Sequence, residues 1–181
     1  MRIETVLNHC YRHKSFVYAG VRWEQIGRKD ALVVDIVPRK NGLAECSACG
    51  VPASVYDHLD ERQFDFVPLW NIQVYFRYTM RRVDCPVHGV RVERIPWSEG
   101  KSHLTKPFQL FLAKWARKLS WKETAESFGT TWDNVFRSVK AVVAYGMKHR
   151  RLEGITAIGV DEIQYGKGHQ YLTLVYQIDA G

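Results

Sequence analysis

Two short stretches, "ECSACGV" and "DCPVHGV", constrain this chain more than anything else in it. Each reads Cys-x-x-(Cys or His)-Gly-Val, and the second follows the first by 39 residues. The candidate ligands are Cys46, Cys49, Cys85 and His88. A tight Cys-x-x-Cys turn lets two thiolates reach one tetrahedral ion while backbone amides donate to the sulfurs. Gly50 and Gly89 follow the second ligand of each turn, where a positive φ is usually required. A structural zinc ion is the favoured reading. A disulfide is disfavoured in a cytosolic chain. A thioredoxin-like redox pair leaves the second turn unexplained. An ordinary surface role for His88 leaves the repeat unexplained. Cys10 has no partner motif and reads as a buried or free thiol.

The flanking segments read as strands. "FVYAGVRWEQI" and "ALVVDIVP", joined by "GRKD", predict a hairpin. "IQVYFRYTMRRV" runs into the second metal turn and "VRVERIPW" leaves it. Two strand pairs tipped by metal turns suggest a zinc ribbon, in which the metal stands in for a large core. Such a module could be purely structural, or it could present Arg77, Arg81 and Arg82 to phosphates. The structural role is preferred.

From Thr105 the period changes. "TKPFQLFLAKWARKL" places Phe108, Phe111, Leu112, Trp115 and Leu119 at helical spacing, with Pro107 suited to a first turn. Ser120 and Glu123 form a capping-box pattern. Ala125, Gly129, Val135 and Val139 then fall at offsets 0, 4, 10 and 14, the pattern of a helix-turn-helix. Thr130 or Thr131 would cap the second helix. Its outward face would carry Thr131, Asp133, Asn134, Arg137 and Lys140, in which Asn and Arg suit base edges and Lys suits phosphates. Trp121, Trp132 and Phe136 are assigned to the core. A generic helical hairpin is the bland alternative.

Charge favours the DNA-binding reading. The 181 residues carry a net +7, and residues 101–153 account for all of it, with eleven Lys/Arg against four acids. A concentrated basic segment suggests a polyanion partner, usually nucleic acid or an anionic membrane face, although charge alone would favour a solvated helical surface; with the helix-turn-helix pattern the expected partner is double-stranded DNA. The Arg150–Arg151 pair suits the helix C-terminus and could also touch DNA. No apolar run approaches the ~20 residues needed to span a bilayer, so no membrane partner is expected. The N-terminus lacks a signal-peptide pattern, and a cytoplasmic, nucleoid-associated location follows as the expectation.

The last segment, "ITAIGVDEIQYGKGHQYLTLVYQID", predicts an apolar strand ending in Asp161 and Glu162, a turn, and a second antiparallel strand. A carboxylate on a buried strand is costly unless it meets a cation. Taken with "CSACG", "CPVHGVRVERIPW" and "LSWKETAESFGTTWDNVFRSV", this segment resembles the N-terminal part of insertion-sequence transposases of the IS-L-three group.

That resemblance implies an α+β multi-module chain. A β-rich zinc-ribbon-like domain would occupy 1–98 and an all-α helix-turn-helix domain 104–152. The first β-hairpin of an incomplete ribonuclease-H-like DDE domain would occupy 153–181. It implies zinc at Cys46, Cys49, Cys85 and His88, and it matches Asp161 to the first catalytic and metal-binding acid of the DDE triad. Mg²⁺ or Mn²⁺ is expected only in a complete catalytic domain, because two such ions need all three acids. Asp179 is a weak second ligand, lying on the neighbouring strand. The implied function is that of a transposase fragment that binds terminal inverted repeats, with homo-oligomerisation on DNA possible and little strand transfer on its own. A non-enzymatic helix-turn-helix regulator is the alternative. A zinc hydrolase is disfavoured because four protein ligands leave no open position for water.

Overall fold

The β-branched and aromatic residues of the first half form strands wherever alternate positions can face a common core. The computed structural model describes residues 2–151 and 153–178. A short helix, α1 (Ile3–Cys10), leads into the hairpin of β1 (Phe16–Ile26) and β2 (Lys29–Pro38). The hairpin turns at Gly27, whose φ is +66°. Next come β3 (Ala44–Glu45), β4 (Pro52–Leu69), β5 (Ile72–Cys85) and β6 (Gly89–Val92). The six strands make one sheet in the order β1-β2-β5-β4-β3, with β6 also on β5. All pairs are antiparallel except β2 with β5, which run parallel from Ala31↔Gln73 to Asp35↔Arg77.

One face of this sheet holds a core that includes Leu7, Phe16, Tyr18, Leu32, Val34, Phe64, Val74, Phe76, Tyr78 and Trp97. Trp97 sits at its centre, edge-on to Phe16 at 4.9 Å and to Tyr78 at 5.3 Å between ring centroids. The expectation that metal replaces a large core is therefore corrected. The six-stranded sheet has room for a core of its own, which a bare ribbon does not.

The helices are α2 (Lys106–Trp115), α3 (Trp121–Ser127) and α4 (Trp132–His149). Ser120 and Glu123 close a capping box at the start of α3, as the sequence predicts. Helix α2 ends at Trp115 rather than at Leu119, and Trp115 stays exposed. Leu104, Phe108, Leu112, Ala125 and Val135 form a second core, with Phe111, Phe128 and Val139 against it. Val67 of β4 packs against both cores.

Sheet and helices do not separate near residues 98–104; one compact unit runs to Val143 and a second begins at Ala144. The join is made by hydrogen bonds. The Asp65 N–H donates to the His103 carbonyl at 2.7 Å, and the Thr105 N–H and hydroxyl donate to the Asp65 carbonyl at 3.0 and 2.8 Å. The Gln73 amide donates to the Phe128 carbonyl at 3.2 Å, in the turn between α3 and α4.

The second unit contains the antiparallel hairpin of β7 (Ile158–Gly166) and β8 (Gln170–Gln177). Strand β7 runs through Asp161 and Glu162 instead of ending at them. Among the described residues, no helix is long and apolar enough to cross a membrane.

Candidate metal centre and nucleic-acid interface

The two motif turns meet at one end of the sheet. The first lies between β3 and β4, closed by Cys46 N–H donating to the Val51 carbonyl at 2.9 Å and Gly50 N–H donating to the Cys46 carbonyl at 2.8 Å. The second lies between β5 and β6, where Cys85 pairs with Gly89. Gly50 and Gly89 have φ of +73° and +65°, the left-handed conformation expected of them.

The ligand atoms of Cys46, Cys49, Cys85 and His88 all lie within 4.8 Å of one another. Cys49 Sγ is 3.7 Å from Cys85 Sγ, and Cys85 Sγ is 3.7 Å from His88 Nδ1. A tetrahedral ion with Zn–S near 2.3 Å puts ligand atoms roughly 3.6–3.8 Å apart, so the donor set and its spacing fit zinc. Cys46 and Cys85 are buried among Ala44, Val83 and Ala53, whereas Cys49 and His88 face solvent.

Backbone N–H donation from Cys49, then Ala48, holds the Cys46 thiol below its ordinary pKa. The Val51 N–H acts on Cys49 in the same direction, but burial and the Cys85 and Cys46 sulfurs outweigh it and raise that thiol. Thiols sharing one site resist ionising together, and a cation among them removes that resistance. Cys10 lies elsewhere as an exposed free thiol.

Next to the metal turns lies a feature that sequence patterns missed. Glu93, 2% exposed, accepts from Arg81 Nε at 3.0 Å and Nη2 at 2.7 Å, from the Arg81 N–H at 2.9 Å, and from the Tyr78 hydroxyl. Burial, then this bond to Glu93, pushes the Tyr78 hydroxyl far above its usual range. Glu93 bridges to Cys46 across the strand edge, so the ion pair braces the metal turn from behind.

The phosphate-binding option for Arg77, Arg81 and Arg82 is not supported. Arg77 pairs with Glu24 at 2.6 Å, Arg81 with Glu93, and Arg82 with Asp57. Each arginine already has a carboxylate across the sheet.

In the helical segment, Ala125 and Val135 are buried and Gly129 takes φ +62° in the turn. Thr131 caps α4, its Oγ1 accepting from the Asn134 N–H at 3.2 Å. Thr131, Arg137 and Lys140 are exposed, and Arg137 pairs with Asp133 at 2.7 Å.

Asn134 does not face outward as expected. It is 7% exposed, and its side-chain amide meets Thr130 Oγ1 at 3.0 Å and His103 Nε2 at 3.2 Å. Its position is shared with Ser138, also buried, which donates to the Asn134 carbonyl at 2.7 Å. Polar residues at 134 and 138 thus line an inward stripe that a hydrophobic count does not detect. Around it, burial raises the pKa of Asp65, opposed by nearby His103.

The core assignment of Trp132 and Phe136 is likewise corrected. They are 52% and 37% exposed, and they stack with rings 5.7 Å apart and 3° from parallel. Trp121 packs beside both. The helical period of α4 puts Trp132 and Phe136 on the same outward face as Arg137 and Lys140, beside the narrow apolar seam that is buried, while Trp121 packs against the helical core.

In the second unit, Asp161 is exposed, and its Oδ1 accepts from the Glu162 N–H at 2.8 Å. It pairs with Leu174, and the period-2 alternation places it on one face with Ile163, Leu172 and Tyr176. The other face carries Ile158, Val160 and Val175. Asp179 lies outside the described residues.

The chain is 32% identical over 172 residues to the "Transposase for insertion sequence element IS1557" of Mycobacterium tuberculosis, strain CDC 1551 / Oshkosh. The protein of the same description in strain H37Rv matches equally. Nearly the whole chain is similar to a transposase. The match covers 93% of this chain and 39% of the relatives' length. No family model matches, and no solved structure matches.

Proposed function

We propose that this chain is the DNA-recognition part of an insertion-sequence transposase, of the IS-L-three group and DDE class, acting on terminal inverted repeats from a cytoplasmic, nucleoid-associated location. The similarity to IS1557 transposases over 93% of the chain supports a role in transposition. The single observation that carries DNA recognition is the pairing of α3 with α4. Ala125 and Val135 bury the seam, Gly129 makes the turn, and α4 leaves Thr131, Arg137 and Lys140 exposed. In a helix-turn-helix the second helix enters the major groove, so these three side chains are the contact set, with Asn134 supporting them from inside. Trp132 and Phe136 would meet the groove beside them.

The zinc-ribbon-like end of the sheet, with Cys46, Cys49, Cys85 and His88 as ligands, holds a structural ion with no open position for chemistry. Zinc there fixes the two turns to each other. In the second unit, Asp161 supplies the first acid of a DDE site on the opening hairpin of a ribonuclease-H-like sheet. The apolar residues on both faces of that hairpin suit strands covered on both sides. Strand cleavage and joining with Mg²⁺ or Mn²⁺ would require all three acids of such a site.

The test is a gel-shift titration of the chain on its element's terminal repeats and on scrambled duplexes. Preference for the repeats, lost in Arg137→Ala/Lys140→Ala, is the expected result. Equal binding to both duplexes would refute sequence-specific recognition.

A further inference from the structure

The cations unused by α4 form a pattern of their own. Three shallow clefts adjoin on the first unit. Arg12, Lys14 and Arg39 line one; Lys14, Arg94 and Lys106 line the next; Arg94, Lys106 and Lys101 line the third, beside the half-buried Arg62, whose guanidinium donates to the Lys101 and Ser102 carbonyls. Lys14 is shared by the first two clefts, and Arg94 and Lys106 by the last two. The six cations therefore form one continuous track. All are exposed. Among the described residues none of the six makes an ion pair, in contrast to Arg22, Arg77, Arg81 and Arg82. The acids along the track are Glu45, Glu93 and Glu99, and Glu93 is already neutralised by Arg81. Like charges that outnumber the acids beside them raise the local potential for a polyanion.

We propose that this track is a second phosphate-binding surface, which holds the backbone of duplex DNA outside the segment read by α4. It rests on the DNA-binding reading above and extends it from the helices to the sheet. A duplex fits better than a small phosphate, because the cations are strung along three open clefts rather than converging on one point. DNA presents a charge every ~1.7 Å of helix axis, so each lysine or arginine along such a line finds a phosphate. Lys106 opens α2, where the helix dipole adds to the positive potential and the track reaches the helical segment. Phosphate contacts of this kind fix position and carry no sequence information.

The experiment compares the full chain with a Lys14→Gln/Arg94→Gln/Lys106→Gln variant. Three probes are used: a duplex selected by the chain from a random library, a random 30-bp duplex (about three helical turns), and phosphatidylserine vesicles. Affinity for both duplexes should fall by a similar factor, leaving their ratio intact. The slope of log K against log salt should become shallower by ~0.9 for each phosphate contact removed, about 2.7 in all. Each single substitution should remove about one such step, with zinc content and melting temperature unchanged. An unchanged slope, with binding still weakened by Arg137→Ala/Lys140→Ala, would overturn the track and leave the α4 reading standing. A loss confined to the selected duplex, or to vesicles, would also overturn it. Failure of the unaltered chain to bind either duplex would overturn both.

Discussion

Glu93 shows how much one residue can hide. Its carboxylate sits between β5 and the metal turn, and three donors from Arg81 plus one from Tyr78 satisfy it. Removing one member of a buried ion pair costs about 3–5 kcal/mol, because the other charge stays desolvated. Glu93→Ala should therefore lower stability by roughly that amount, measured by urea denaturation of the metal-loaded protein. Arg82→Ala, at the solvent-screened pair with Asp57, should cost far less than Glu93→Ala in the same assay. His13 gives a pH signature. Burial against Tyr18 and Trp97 lowers its pKa to about 4, from 6.5. Between those values the unfolded chain binds the proton and the folded chain does not, so stability falls as pH drops from 6.5 to 4. Thermal melts across that window should show a smaller loss for His13→Phe than for the unaltered chain. None of this was legible beforehand, since sequence spacing locates neither a buried carboxylate nor its arginine.

Elements were legible where one period dominated. The β1–β2 hairpin, the two metal turns, and α3 with its capping box all follow from local signals that agree with one another. Strand β4 was missed. It spans 18 residues with three register shifts, which break the alternation near Asp57, Glu61 and Pro68. Its hairpin to β5 turns on Trp70 and Asn71, both at positive φ with no glycine to mark them. Helix α1 is eight residues long and buries only Leu7, which is too little pattern to read. On α4 the seam was legible, but the outward face was not, because Asn134 and Ser138 turn inward while Trp132 and Phe136 turn out. This separates two predictions. Asn134→Ala should lower the melting temperature through the loss of bonds to Thr130 and His103, at about 1–3 kcal/mol for the groups left unpaired. Arg137→Ala should change stability by no more than about 0.5 kcal/mol and weaken DNA binding.

At the scale of the molecule, charge along the chain and charge on the surface differ. Outside residues 101–153 the sequence is neutral. Folding spends several acids of that part on Arg22, Arg77, Arg81 and Arg82, and among the described residues leaves Arg12, Lys14, Arg39 and Arg94 without ion pairs. The position of the candidate metal centre also matters. It lies at one end of a sheet that has its own core, so Cys46→Ser or chelation should loosen β3, β6 and the two turns. Hydrogen exchange should quicken there while Val74 and Phe76 stay protected; uniform loss of protection would place the metal at the centre of stability.

Recognition of specific DNA by α4 is the proposal on which the others rest. Its most direct test is the affinity of the full chain for terminal-repeat duplexes as a function of salt. The account predicts a steep fall in affinity with salt and a preference for the repeats that disappears in Arg137→Ala/Lys140→Ala. Binding that is flat in salt, or that keeps its preference in that variant, would contradict it.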